Sequence, residues 1–329
     1  MINTNKTDRY PFFNSGIFYG CMLVLFLGLV PVIFSNPYFL RMAILTFIFS
    51  ILTMSLSLLL DFTGIISLGH GAFFGIGAYT TGILCTKMES PFLLSLPISG
   101  VVAIIVAIAF GALTFRTLKG LYFTLASWAM GEIAVSIYMN VEYLGGTNGI
   151  RAIPLPSIMG FTISSDISFY YFTLFFAILT LISIELIVLS RIGRAFIGIR
   201  EEPVVAGVMG VNVYLFQILS FATAAFYAGM AGNLYAYYES FISPKSFTVW
   251  ESIFLLCMVI VGGRRSIIGS VVGAAIFTFL PELLRVVGEY REIIYGCILL
   301  ATILFRPTGL IPAYHFLSRR TYYNGHTTS

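Results

Sequence analysis

Apolar residues run in blocks about as long as a bilayer is thick, and polar residues gather in the gaps between them. Ten such segments can be marked, near 16–34, 38–60, 65–85, 92–115, 121–139, 169–189, 213–236, 250–263, 267–287 and 291–305. A helix needs about 20 residues to cross a ~30 Å hydrocarbon core, and most of these runs reach that length. The pattern predicts an all-α polytopic membrane protein with about ten transmembrane helices. Three stretches depart from plain spanning helices. Read as one helix, DFTGIISLGHGAFFGIGAYTTGIL (61–84) sets Ser67, Gly71, Gly75, Ala78 and Gly82 on one nearly bare face. His70, Gly77 and Thr81 fall on an adjacent strip. FATAAFYAGMAGNLYA (221–236) repeats the device with Ala222, Ala225, Gly229, Gly232 and Ala236. Small residues at this spacing let membrane helices approach closely, so each stripe is either a tight interface or the lining of a translocation path. The third departure is the pair 250–263 and 267–287, joined by Gly262-Gly263-Arg264-Arg265-Ser266. Its first member is only about 21 Å long, short of the full core. A faint echo between SLGHGAFFGIGAY and SIIGSVVGAAIF fits a parallel repeat.

Composition agrees: 58% of 329 residues are hydrophobic and 10% charged, against about a quarter charged in a soluble chain. Mean hydropathy is +0.95. With the N-terminus inside, twelve of the 18 Lys and Arg fall on the inner side, as the positive-inside rule asks. The acids lean the other way, so both termini are expected to be cytoplasmic. Tyr170, Tyr171, Tyr235, Tyr237, Tyr238 and Trp250 stand at segment ends, where interfacial anchors belong. The run 16–34 is too long for the apolar part of a cleaved signal peptide and is kept as a spanning helix. Cys21, Cys85, Cys257 and Cys297 have no metal-ligand spacing and read as small hydrophobes, so no metal or cofactor is expected.

No catalytic constellation is visible. His70, His315 and His326 are far apart, and none of Lys6, Lys87, Lys119 and Lys245 stands in a phosphate-binding Gly-Lys-Ser/Thr loop. If the chain pumps, energy comes from another subunit or an ion gradient. Glu132 and Glu185 fall inside spanning segments, where a carboxylate is expensive and a functional candidate by default. Glu185 lies about one turn from a helix end and reads as a near-surface acid. Glu132 sits deeper; it is either a proton carrier or a glutamate hydrogen-bonded to a neighbouring helix. The inner loop RIGRAFIGIREEPVVAGVMGVN (191–212) is the richest in charge, and Glu201-Glu202-Pro203 is a helix start. It reads as a charged connector, or as a short helix that docks on a partner.

Several stretches together resemble a known family: SLGHGAFFGIGAY (67–79), LKGLYFTLASWAMGEI (118–133), GGTNGI (145–150), GRAFIGIREEPVVAGVMGVN (193–212), FYAGMAGNLYAYYESFISPKSFT (226–248) and VGGRRSIIGSVVGA (261–274), then PELLR (281–285) and RPTGL (306–310). In number, order and spacing they resemble the membrane-spanning permease subunits of branched-chain amino-acid ABC importers. Urea permeases of the same superfamily look similar. The resemblance implies a transport subunit that is not itself an enzyme, in a bacterial inner membrane. It also implies a second permease as heterodimer partner, two cytoplasmic ATP-binding subunits and an extracytoplasmic substrate-binding protein. The ligand is a small molecule, with no nucleic acid involved. The chain then divides into a cytoplasmic tail (1–15), a transmembrane permease domain (16–310) holding the cytoplasmic coupling loop (191–212), and a second cytoplasmic tail (311–329).

Carried over, the coupling segment falls on Arg200, Glu201, Glu202, Ala206 and Gly210, with Val204 where many ABC importers keep a glutamate. The path is expected along Ser67, His70, Gly71, Gly75, Ala78, Thr81, Gly82 and Glu132, with Gly229 and Gly232 packing beside it. Val205→Asp and Ala206→Arg are expected to break docking, and Gly75→Leu to block transport. The readings that compete are a urea permease and a lone proton-coupled transporter using Glu132.

Overall fold

The computed structural model describes residues 28, 31, 36–158, 161–283, 291–306 and 309–311. Apart from positions 28 and 31, the first predicted segment lies outside them, as do the N-terminal tail and nearly all of the C-terminal one. The other nine segments are helical over most of their described residues. They are α1 (Pro37–Ser57), α2 (His70–Lys87), α3 (Phe92–Thr114), α4 (Leu121–Asn140) and α5 (Asp166–Leu189). Two short helices, α6 (Arg191–Glu201) and α7 (Pro203–Val208), follow. Then come α8 (Val213–Glu239), α9 (Val249–Gly262), α10 (Ile267–Leu283) and α11 (Arg291–Phe305). Two-residue strands β1 (Ile150–Arg151) and β2 (Phe241–Ile242) pair antiparallel and clip two loops together at one end.

Length and composition qualify four of the described helical stretches as membrane spans: Pro37–Thr63, Phe92–Thr114, Asp166–Leu189 and Val213–Glu239. A fifth is the pair α9–α10, bent by 120° at its Gly-Gly-Arg-Arg joint. The expectation of ten separate spans is therefore met only in part. The physical reasons differ. Glycines, threonines, His70 and Lys87 dilute the hydropathy of α2, and serines, Gly131 and Glu132 that of α4, whereas α9 and α11 hold only 14 and 15 residues.

The core forms around α1, whose apolar window is 83% buried against 33% for α3, so α1 is the hub and α3 the perimeter. A helix apolar all round is stable only when surrounded, and α1 touches α5, α8, α9 and α10. Its backbone runs on through a π-helical turn, Leu58–Thr63, and stops at Gly64, whose φ of 76° needs no Cβ. Helix α8 wedges between α2 and α3 by its small-residue stripe. A Cβ on Gly77 would overlap the Gly229 carbonyl, and one on Gly232 would overlap the Phe74 carbonyl. Gly229 in turn lies against the Ser99 carbonyl and the Ala103 methyl. The bent pair crosses the same way, through Gly262, Gly269 and Gly273.

Where these backbones touch, a buried polar cluster crosslinks α2, α3 and α8. Asn233 Nδ2 donates to Thr81 Oγ1 (2.7 Å) and Ser95 Oγ (3.1 Å). Tyr237 Oη lies 2.9 Å from both Ser95 Oγ and Cys85 Sγ. Interhelical hydrogen bonds of this kind contribute about 0.6–2 kcal/mol each within a membrane. Asn233→Leu is expected to lower the melting temperature of the detergent-solubilised chain; an unchanged melt removes the cluster from any structural role.

Groups that the charge pattern assigned to one side meet at one end of the bundle. At one end Arg41 pairs with Glu239 (3.1 Å) and Lys87 donates to the Tyr143 carbonyl (2.7 Å). At the other, Arg200 donates to the Asp61 carbonyl and Arg116 stacks on Tyr214 at 5.0 Å.

Candidate functional site

The stretch read as one helix from 61 to 84 is broken. Residues 61–63 finish α1, and α2 begins only at His70; between them Gly64–Gly69 is not helical. Ser67 therefore does not belong to the glycine stripe. Gly64 in the left-handed region ends one helix, and backbone groups of the open segment find partners on other helices. Leu68 N–H donates to Ser127 Oγ (2.9 Å), and Thr124 Oγ1 donates to the Ile66 carbonyl (3.1 Å). Gly71 N–H, in the first turn of α2, donates to Ser252 Oγ (2.8 Å). Such irregular backbone survives at membrane depth only where protein or water covers it. Thr124 and Ser127 stand three apart on α4, a polar pair in an apolar helix, and that spacing was the signal available for them. Ser252 carries none.

The interruption leaves polar atoms with no partner. Ser55 Oγ lies 2.7 Å from the Leu52 carbonyl and 2.8 Å from His70 Nε2. His70 Nδ1 and Ser67 Oγ are fully buried without hydrogen bonds. Gly71 faces the Thr248 carbonyl and Ser252, where α9 starts. The start of α9 thus lies level with the first turn of α2, far from Gly82, which packs on Ile150 and Ile242 at the bundle's end. The chain between β2 and α9 dips inward to reach that level, and this is why α9 is short. Two helix N-termini, each bearing partial positive charge, meet inside the bundle.

The remaining stripe, Gly71, Gly75, Ala78 and Gly82, is buried within this chain; Gly75 packs on Tyr138 and Phe247. Thr81 belongs to the Asn233 cluster, and Gly229 and Gly232 to the α2–α8 contact. Both glutamates differ from one of their expected readings. Glu185 is 1% exposed, not a near-surface acid, because α5 turns it toward the bundle. Glu132 lies on the outer face of α4 and accepts from its own helix, Trp128 Nε1 at 3.3 Å, not from a neighbouring one. Leu125, Ile133 and Ile137 are exposed around it.

At the far end, Glu202 breaks the loop into α6 and α7, with Pro203 in the first turn of α7. Helix α7 ends in a Schellman motif: Gly210 N–H donates to the Gly207 carbonyl and Val211 N–H to the Ala206 carbonyl, with Gly210 at φ 88°. Gly210 is a cap. Ala206 is buried and faces Gly198 of α6, so it does not present itself to a partner as expected. A helix this short has room for one buried face, and its smallest side chain takes it. Val204, Val205, Val208 and Met209 point out, Val208 being 84% exposed. Arg200 packs over Gly64 and ties the loop to the end of α1, while Glu201 and Glu202 remain at the exposed surface.

The family described as "Branched-chain amino acid transport system / permease component" matches residues 38–303. The high-affinity branched-chain amino acid transport system permease protein LivM of Escherichia coli is 31% identical, covering 82% of this chain and 69% of the relative. LivM of Salmonella typhimurium gives the same figures. LivH of Salmonella typhimurium is 24% identical over 80% of this chain and 91% of its own length. No solved structure matches significantly. A profile match over most of the chain and this identity to LivM show that the chain is a multi-pass membrane protein of the branched-chain amino acid transport permease family.

Proposed function

We propose that the chain is one permease of an ATP-driven importer for branched-chain or another small amino acid, in a bacterial inner membrane with both termini cytoplasmic. The observation that carries this reading is the tip of α7. Four large apolar side chains project from a short helix in the most charged loop, and an exposed apolar patch rimmed by charge is a docking surface. The occupant is a cytoplasmic ATPase, one of two, since the sequence has no phosphate loop of its own. Arg200, packed on Gly64 and bonded to the Asp61 carbonyl, carries the push from α7 to the joint between α1 and α2. The outer face of α4 supports the rest of the assembly. A carboxylate at bilayer depth belongs against water or protein rather than lipid, so Glu132 faces a path closed by a second permease. A binding protein delivers substrate at the opposite end.

Uptake competition tests the substrate: unlabelled leucine, isoleucine or valine is expected to compete for transport, and competition by urea alone overturns the amino-acid reading. For the path, Glu132→Gln is expected to retain assembly, while Glu132→Leu lowers uptake about tenfold or more by removing a polar group the path needs. Wild-type uptake by Glu132→Leu places this face against lipid. Transport by the purified chain alone, driven by a pH gradient, sinks the ATP-driven reading.

A further inference from the structure

A cavity of about 850 Å³ lies between the end of α1, the α3–α4 turn, the α6–α7 joint and the start of α8. The importer reading uses Arg200 and the edge of α7 that border it, but gives the cavity itself no ligand. Its polar wall is cationic, with Arg116, Lys119 and Arg200 against one carboxylate, Glu202. The Arg116 guanidinium lies over the Tyr214 ring, 5.0 Å from its centroid, which holds it in the cavity wall. Lys119 is exposed on the turn. Arg200 is half-buried, and burial together with the neighbouring Arg265 pulls its pKa below the usual arginine range. Asp61 and Glu201 offset part of this, and an anion in the cavity adds counter-charge beside Arg200, Arg116 and Lys119. Much of the remaining wall is apolar, including Phe115 and Leu121. A soluble phosphate gains from the cations alone; an amphiphile gains from both walls. The cavity also sits at the end where the inner-side cations gather, beside the π-helical turn that closes α1.

We infer that this cavity binds an anionic phospholipid, its phosphate on Arg116, Lys119 and Arg200 and the start of an acyl chain along Phe115 and Leu121. Such a lipid joins the α3–α4 turn to the α6–α7 joint and so steadies the docking helix from its membrane side.

The test is lipid retention by the full-length chain in mild detergent, read by native mass spectrometry from mixed phosphatidylglycerol and phosphatidylethanolamine. The wild type is expected to retain phosphatidylglycerol, and Arg116→Gln with Lys119→Gln to lose about tenfold or more of that preference. Arg191→Gln with Arg194→Gln, on the same side but away from the cavity, should retain it. The charge-keeping swap Arg116→Lys with Lys119→Arg should retain it too, which separates lost charge from lost folding. Equal retention by the glutamine pair and wild type overturns the inference, as does equal loss in the Arg191/Arg194 control. Displacement of the lipid by equimolar glycerol phosphate shows a soluble-anion site and overturns it as well. No step needs transport, so the result stands apart from the fate of the importer reading.

Discussion

Val208→Asp and Val205→Asp should each release the ATPase while leaving the permease folded in the membrane. Val208 is 84% and Val205 56% exposed, so aspartate costs little in the free chain, least at Val208. Seated in a partner's groove, the same carboxylate is desolvated with no cation supplied, at several kcal/mol. Recruitment is then weakened at least about thirtyfold. Co-purification with the ATPase and transport-linked ATP hydrolysis should both collapse, with expression and melting temperature held. Ala206→Arg behaves differently despite being next in sequence. Its Cβ lies 4.0 Å from the site a Cβ on Gly198 would take, so the arginine parts α6 from α7 and should lower the melting temperature. If both aspartate variants bind the ATPase and transport like wild type, α6 and α7 form only a charged connector.

Gly77→Leu should prevent the bundle from assembling. A side chain there meets the Gly229 backbone, which lies in the middle of a 27-residue helix packed on α2 and α3. Overpacking in a tight core costs typically about 1–3 kcal/mol, and more where the obstacle is backbone that cannot rotate aside. Lost monodispersity on size exclusion and a strongly lowered melting temperature are expected. Gly75→Leu is the milder case. Its Cβ would stand 2.9 Å from Tyr138 Cε2 and 3.0 Å from Phe247 Cγ, side chains rather than backbone, so a folded chain with impaired transport is expected. Gly198→Ala is the control, since the added methyl finds only ordinary contact with Ala206. A monodisperse Gly77→Leu chain that melts like wild type refutes the packing argument.

Helix limits were legible in the sequence because a bilayer sets the length of apolar runs and a turn shows as charge. The ends of α3, α4, α8 and α11 fall within about three residues of the apolar blocks, the scatter expected of such boundaries. The sorting of cations between the two ends was legible for the same reason, as was the close contact of the small residues on α8. Direction was not. In water an apolar face means inside, but lipid and protein interior are both apolar, so periodicity cannot say which faces which. Thus Glu185 turned inward, against the near-surface reading, and Glu132 outward, away from any neighbouring helix of this chain. The break at Gly64–Gly69 was hidden too, since small residues at helical spacing look continuous until Gly64 takes a positive φ. Only the tertiary structure brings Thr124, Ser127 and Ser252, up to 181 residues away in sequence, to meet the backbone groups that the break exposes. Hydrogen bonds across such separations leave no local pattern, and they decide where the continuous helix stops.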